Sequence, residues 1–493
     1  MKAICTISGA VISTALFFLA ADAAWGQGRA QPKAFFESAK LSLDPRDSNY
    51  LQPKSGTVMK PLTSVQNVAD LRSYAATADS GALFPGVVNV SAKAAGDKLQ
   101  RILRDASVQN VQLVALDVNK MRSALFLETR NKLCEGMEPY CGTIRSKGWE
   151  KATEAVERMF ATIGGKSEGK PFGQAIFVRD GADISGVLNV GAQIYLIRQV
   201  SDRVFAITTS KRGEVERLKD DVFDLKRTSA DGSKPISTGT KGGKASLTPA
   251  PGNCPNPVSN QVLEVVVMST DKARREAFDS GHSIKQLVRT AEALGIISFR
   301  NSNINGDIRV TQIGATKYVE TGDFYTDVQE LQKAGGRLDD VRKARRNAMA
   351  DVGVLVVDHP DPRNCGMAAG ISVPKEKAFV VVNWKCLTDK FSFIHEIGHL
   401  AGAYHDPATI AASGSSVVVE PPYAHGYVTT GKEPVATIMA YREACPAPCG
   451  REWYWSNPNI KTDDGQVLGT ADKNFDACIW RQRLSVMSTF DGG

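Results

Sequence analysis

Six histidines occur in 493 residues, and three of them fall between positions 395 and 405. The stretch reads Phe391-Ser-Phe-Ile-His-Glu-Ile-Gly-His-Leu-Ala-Gly-Ala-Tyr-His-Asp406. Few local folds suit it. His395 and His399 are four apart, so on a helix both imidazoles lie on one face, one turn apart, within reach of one metal ion. Glu396 sits beside the first of them, near enough to reach a water on that metal. Gly402 can take a positive φ, ending the helix and turning the chain sharply. His405 can then return as a third nitrogen ligand. Three protein nitrogens leave a fourth position open, which is the arrangement of a catalytic zinc site. A chance His-Glu-x2-His-x2-Gly-x2-His in such a chain has a probability on the order of 10⁻⁵.

The remainder of the chain is compatible with an exported enzyme. Met1-Lys2-Ala3 precedes an apolar run to Ala21, and Ala21-Asp22-Ala23 is a small-x-small cleavage pattern. Residues 1–23 therefore read as a secretory signal peptide, with the mature protein secreted or periplasmic. No later stretch reaches the roughly 20 apolar residues of a membrane span. Hydrophobic residues make up 42% and charged residues 23%, as in ordinary globular proteins. The net charge of +7, spread over this length, does not point to nucleic acid.

Without Cys5 of the signal, eight cysteines remain, and an even count in an exported chain implies disulfides. Cys134 and Cys141 enclose a short loop and are expected to pair. Cys365 and Cys386 flank a strand-like segment and form the second expected pair. Cys254, Cys445, Cys449 and Cys478 admit three pairings, and nothing in the sequence selects one.

Composition divides the chain at 228–257, which is rich in Gly, Ser, Thr and Pro and reads as an exposed linker. Before it, 24–90 is weakly patterned. Residues 92–105 and 147–163 show helical spacing, and 110–128 and 174–209 alternate as strands. The region 24–227 is thus expected to be a smaller, mainly β unit. After the linker, strands at 262–268, 306–313, 352–357 and 378–383 alternate with helices at 282–299, 326–331 and 339–350. Residues 258–493 are therefore expected to form an α/β domain with a mixed, mostly parallel sheet and an active-site helix. Arg342, Lys343, Arg345 and Arg346 read as a solvated helix face. Ala378–Asn383 suits either an edge strand that pairs with an extended substrate or a buried strand.

The zinc-type motif resembles that of the metzincin endopeptidases. Thr437-Ile438-Met439-Ala440-Tyr441 resembles their Met-turn, and the likeness is strongest to the bacterial reprolysin-like branch. Over about 260–493 it also takes in Tyr318-x-Glu-Thr-Gly-Asp-Phe324, Asn364-Cys-Gly-Met-Ala368, Ala424-His-Gly-Tyr427 and Ser456-Asn-Pro458. The resemblance implies one catalytic Zn²⁺ on His395, His399 and His405, with Glu396 as general base. It implies Met439 as an apolar floor under the metal that does not ligate it, and Asp406 as a hydrogen-bonding support for the base of the active-site helix. It offers Tyr441 as an oxyanion-stabilising residue, and the loop 407–436 and Met-turn region as the lining of the specificity pocket. The substrates would be proteins or peptides. Region 24–227 would then be a propeptide or accessory domain, with the linker as the maturation site. His425 reads as either a structural or a substrate-binding residue. Asp463, Asp464 and Asp472 raise calcium as a further ligand. Two other functions compete: a non-catalytic zinc-fold binding or toxin module, against which Glu396 speaks, and a zinc amidase acting on non-protein amides, against which the Met-turn speaks.

Overall fold

In the computed structural model the described residues are 261–491, with short gaps at 362–363, 414–417, 432–433, 447–448 and 463–464. Before them stand Cys254, eight strands between 36 and 210, and residues 98–99, 101–102 and 105. The expected signal peptide, the Cys134–Cys141 pair and the linker other than Cys254 lie outside the described residues, as do Asp463 and Asp464.

The N-terminal strands are β1 Phe36–Ser42, β2 Val87–Ser91, β3 Val108–Leu116, β4 Val156–Ser167, β5 Lys170–Asp180, β6 Asp183–Val190, β7 Gln193–Ser201 and β8 Val204–Ser210. They form one sheet in the order β2-β1-β3-β8-β7-β6-β5-β4. Its pairs are antiparallel except β1 with β2. The expected strands are present at 108–116 and 170–210. The helix expected over 147–163 is overturned at 156–163, which belongs to β4, paired with β5 through a hairpin; 147–155 lie outside the described residues. Helical spacing is a weak local preference, and the antiparallel ladder that β4, the last strand of the sheet, forms with β5 outweighs it.

The catalytic-side sheet runs β10-β9-β11-β13-β12. Its strands are β9 Gln261–Ser269, β10 Gly306–Ala315, β11 Val352–Val357, β12 Gly366–Ala368 and β13 Phe379–Asn383. All pairs are parallel except β12 with β13. β11 and β13 are buried along their whole length, which explains their unbroken valine-rich sequences. Segment 378–383 is therefore an interior strand, and the described edge on that side is β12.

Seven α-helices are defined among the described residues of the C-terminal region: α1 Asp271–Asp279, α2 Ile284–Asn301, α3 Phe324–Gln332, α4 Asp339–Asn347, α5 Ser392–Ala401, α6 Pro407–Ala412 and α7 Asp476–Met487. The expected solvated face of α4 needs one correction. Lys343 and Arg346 are exposed, but Arg345 is 1% exposed. Its Nε donates to Ala350 O at 3.1 Å, and its guanidinium lies over the Phe379 ring. The sheet needs cover there, and the arginine stem supplies it.

α2 packs against β10, α5 and the N-terminal strands β5 and β6, so it is buried almost all round, and its buried Arg289 and Glu292 pair with each other at 3.0 Å. At this junction Ser185 and Thr290 hydroxyls hydrogen-bond at 2.9 Å. Buried Arg198 donates from Nη1 to His282 Nε2 at 2.7 Å and to Ser280 O at 3.2 Å, and from Nη2 to Thr208 Oγ1 at 2.9 Å. Arginine only donates, so His282 must keep a lone pair on Nε2 and stay neutral. Burial, then Arg198, pushes its pKa from 6.5 to about 4, opposed by Asp105 at 3.7 Å. The folded value is depressed, so the full stabilisation is present above about pH 6.5. It is lost progressively as pH falls towards about 4. Protection factors of β6 and β7 amides, referred to the intrinsic exchange rate at each pH, should therefore fall over that window, and His282→Gln, which keeps an acceptor but cannot titrate, should flatten the dependence.

Three disulfides lie among the described residues: Cys254–Cys478, Cys365–Cys386 and Cys445–Cys449. The second is the expected pair. The first ties the end of the linker to α7, so the catalytic unit reaches back at least to Cys254.

Candidate active site

α5 carries His395, Glu396 and His399, all three buried. It ends at Gly402, whose φ of 119° is accessible to glycine and strained for other residues. The Gly402 and Ala403 amides close the helix on Gly398 O at 3.1 and 3.0 Å. Beyond the turn, Tyr404 N donates to Ala424 O at 2.7 Å, and Gly426 N donates to Tyr404 O at 2.9 Å. This short ladder swings His405 back over the helix. The turn expected at Gly402 and the return of His405 are both present.

His405 Nε2 lies 3.2 Å from His395 Nε2 and 3.1 Å from His399 Nε2. His395 Nδ1–H donates to Ile438 O at 2.9 Å, and His399 Nδ1–H donates to Ala403 O at 2.8 Å. A carbonyl can only accept, so each donation leaves an Nε2 lone pair pointing inward. Lone pairs this close repel unless a cation lies between them. A tetrahedral ion with metal–nitrogen distances of about 2.0–2.1 Å would space its nitrogens about 3.3 Å apart. The three residues form the His/Cys/Asp/Glu group with metal-ligand geometry found among the described residues. The carbonyls that orient two of them, Ile438 O and Ala403 O, are absent from any sequence pattern, because main-chain atoms carry no residue signature.

The Met-turn lies directly below. Met439 is fully buried. A Cβ at Gly398 would come 2.6 Å from the Trp455 ring and 3.1 Å from Met439 Sδ, so glycine is what lets α5 approach this floor. Asp406 does not support the base of α5, as the resemblance suggested. It caps α6, accepting from Thr409 N at 2.9 Å and Thr409 Oγ1 at 2.5 Å, and its Oδ2 accepts from Tyr441 N at 3.1 Å. It thereby pins the Met-turn to the segment after His405. The Tyr441 ring stands edge-on to His405 and His395, with centroids at 4.9 and 6.0 Å. His425 Nδ1–H donates to His405 O at 2.7 Å, and burial pushes its imidazole below the ordinary value. It braces the third histidine through the backbone, so the structural reading is the one its contacts support.

Glu396 faces the edge strand. A Cβ at Gly366 in β12 would come 2.6 Å from Glu396 Oε1 and 2.8 Å from its Cγ. The sequence contained Gly366 in a family-like segment without revealing this role. Asp472 is exposed, and no described acidic cluster accompanies it for calcium.

With this geometry, the comparisons with known proteins are consistent. Residues 259–453 match the family described as metallo-peptidase family M12. The peptidyl-Asp metalloendopeptidase of Pseudomonas fragi is 30% identical over 165 residues, covering 34% of this chain and 83% of that protein. The chain belongs to the M12 metallopeptidases. The peptidyl-Asp metalloendopeptidase of Xanthomonas campestris pv. campestris is 29% identical over 389 residues, 76% of this chain and 84% of that protein. That of Stenotrophomonas maltophilia strain R551-3 is 28% identical over 410 residues, 81% and 91% respectively. Alignments this long extend beyond the catalytic region into the N-terminal unit. This M12 chain is a metalloendopeptidase, a hydrolase of protein or peptide substrates that uses a metal. No described helix is long and apolar enough to cross a membrane.

Proposed function

We propose that this M12 peptidase is an exported zinc endopeptidase in which His395, His399 and His405 hold one Zn²⁺ and Glu396 is the general base. A bound zinc would supply Lewis acidity and lower the pKa of a coordinated water towards neutrality. Glu396 takes the proton of the attacking water and returns it to the leaving amine. Its place beneath β12 suits this, since an extended peptide gains main-chain hydrogen bonds along that edge. Tyr441 is the residue that steadies the developing oxyanion through its hydroxyl, a role supported by its ring lying 4.9 Å from that of His405. Relatives named for peptidyl-Asp cleavage support a preference for an aspartate next to the scissile bond. The N-terminal unit is a pro-region or accessory domain, with removal in the linker before Cys254.

The observation that carries this reading is the convergence of three Nε2 atoms whose Nδ1 groups are orientated by carbonyls, with a buried carboxylate beside them. The test is metal removal. A chelator should abolish cleavage of an unfolded protein, and one equivalent of Zn²⁺ per chain should restore it. Activity that survives complete demetallation of the folded protein would refute the reading.

A further inference from the structure

We propose that Ser456 is a positioning residue for the metal site: it locks the start of α7 to the backbone of His425 and so fixes where His405 stands. The assignment rests on the zinc reading above. His395 and His399 leave one helix, whose geometry sets both. His405 arrives on a loop, so tertiary contacts must place it. Its own carbonyl is held by His425 Nδ1–H at 2.7 Å, and the short ladder from Tyr404 to Ala424 and Gly426 runs alongside. The third histidine is therefore only as fixed as residues 423–426.

The beginning of α7 holds those residues. Phe475 N donates to Tyr423 O, Asn474 Nδ2 to Gly426 O, and Ser456 Oγ to His425 O, each at 2.7 Å. Ser456 also accepts twice. Its hydroxyl accepts from Asp476 N at 2.8 Å, and its carbonyl from Ala477 N at 3.1 Å. Both amides belong to the first turn of α7, where a helix supplies no acceptor of its own. One hydroxyl thus accepts from the helix and donates to His425 through a single atom. Ser456 is fully buried, so removing that hydroxyl leaves an amide and a carbonyl unpaired away from water. α7 is itself anchored against the first two histidines. The Cys254–Cys478 bridge ties down its first turn. A Cβ at Gly402 would come 3.3 Å from Ile479 Cγ2. Arg483 Nη2 donates to Val373 O at 2.8 Å, and Val373 N donates to Leu400 O of α5 at 3.1 Å. A single helix is registered against α5 on one side and against the brace of His405 on the other. Ser456 is the link between them.

The test reads zinc affinity, by competition with a chromogenic chelator, on protein expressed as the full chain and purified as the host processes it. Ser456→Ala should bind zinc about tenfold more weakly than the wild type, the lower end of what residues supporting a metal ligand contribute. His425→Leu breaks the next link and should weaken binding at least as much. The double variant should be no weaker than His425→Leu alone, because both substitutions act along one path. Ser269→Ala removes another buried hydroxyl, one that donates to Gly314 O at 3.1 Å from β9. It should leave zinc affinity at the wild-type value even where it lowers the thermal midpoint. Affinity within about twofold of wild type in folded Ser456→Ala, losses that add in the double variant, or an equal loss in Ser269→Ala overturns the Ser456 assignment and leaves the zinc reading standing. If Ser456→Ala does not fold, unchanged affinity in His425→Leu overturns it equally. A wild type that takes up no zinc overturns the zinc reading itself, and the assignment with it.

Discussion

Glu396→Gln is expected to retain one zinc per chain and to lose about 10²–10⁴-fold in kcat, the contribution typical of a positioned general base. Glu396 is buried beside the histidines yet is not needed for their convergence. The two carbonyl contacts that orient His395 and His399 also remain in the variant. Metal content and activity should therefore separate. Metal analysis and single-turnover cleavage of a quenched peptide would show it. Activity within a few-fold of wild type would remove Glu396 from the chemistry, and a loss of zinc in parallel with activity would make it part of the metal site.

The second large effect is expected far from any ligand motif. Gly366→Ala places a methyl 2.6 Å from Glu396 Oε1 and 2.8–2.9 Å from its Cγ and Cδ. The carboxylate must move, and a displacement of about 1 Å in a catalytic group costs on the order of 10²-fold in rate. The methyl meets a side chain rather than backbone, so the fold and the zinc content should survive. The expected signature is a fall in kcat with near-normal metal and thermal midpoint. Near-wild-type turnover in a folded Gly366→Ala protein would mean that Glu396 has room to spare and that β12 does not constrain it.

The histidine motif was legible because its chemistry is local. One helical turn, one glycine and one short return bring together residues that lie within eleven positions. The strands 262–268, 306–313 and 352–357 were legible for a related reason, since strands buried on both faces leave continuous apolar runs. What the alternating pattern could not convey was partnership. Segment 378–383 has the composition of either an edge or an interior strand, and only the antiparallel pairing of β12 made it interior. In the same way, 156–163 carries a helical period, but its pairing with β5 overrides it. Arg345 looked like part of a charged surface because a sequence records the charge and not the aliphatic stem that covers Phe379.

The sequence alone determined the grouping of His395, His399 and His405, the carboxylate beside them, the sharp turn at Gly402, the Cys365–Cys386 bridge and the α/β character of 258–493. Each depends on residue type at short separation, where chain geometry leaves few alternatives. Tertiary structure alone decided the rest: the carbonyls that set the histidine tautomers, the glycine that makes room for Glu396, the Cys254–Cys478 and Cys445–Cys449 pairings, and the Ser456 hydroxyl that joins α7 to His425. These depend on main-chain atoms, on the absence of a side chain, or on contacts between distant segments. None of the three leaves a periodic or compositional trace, so they become visible only once the chain has packed.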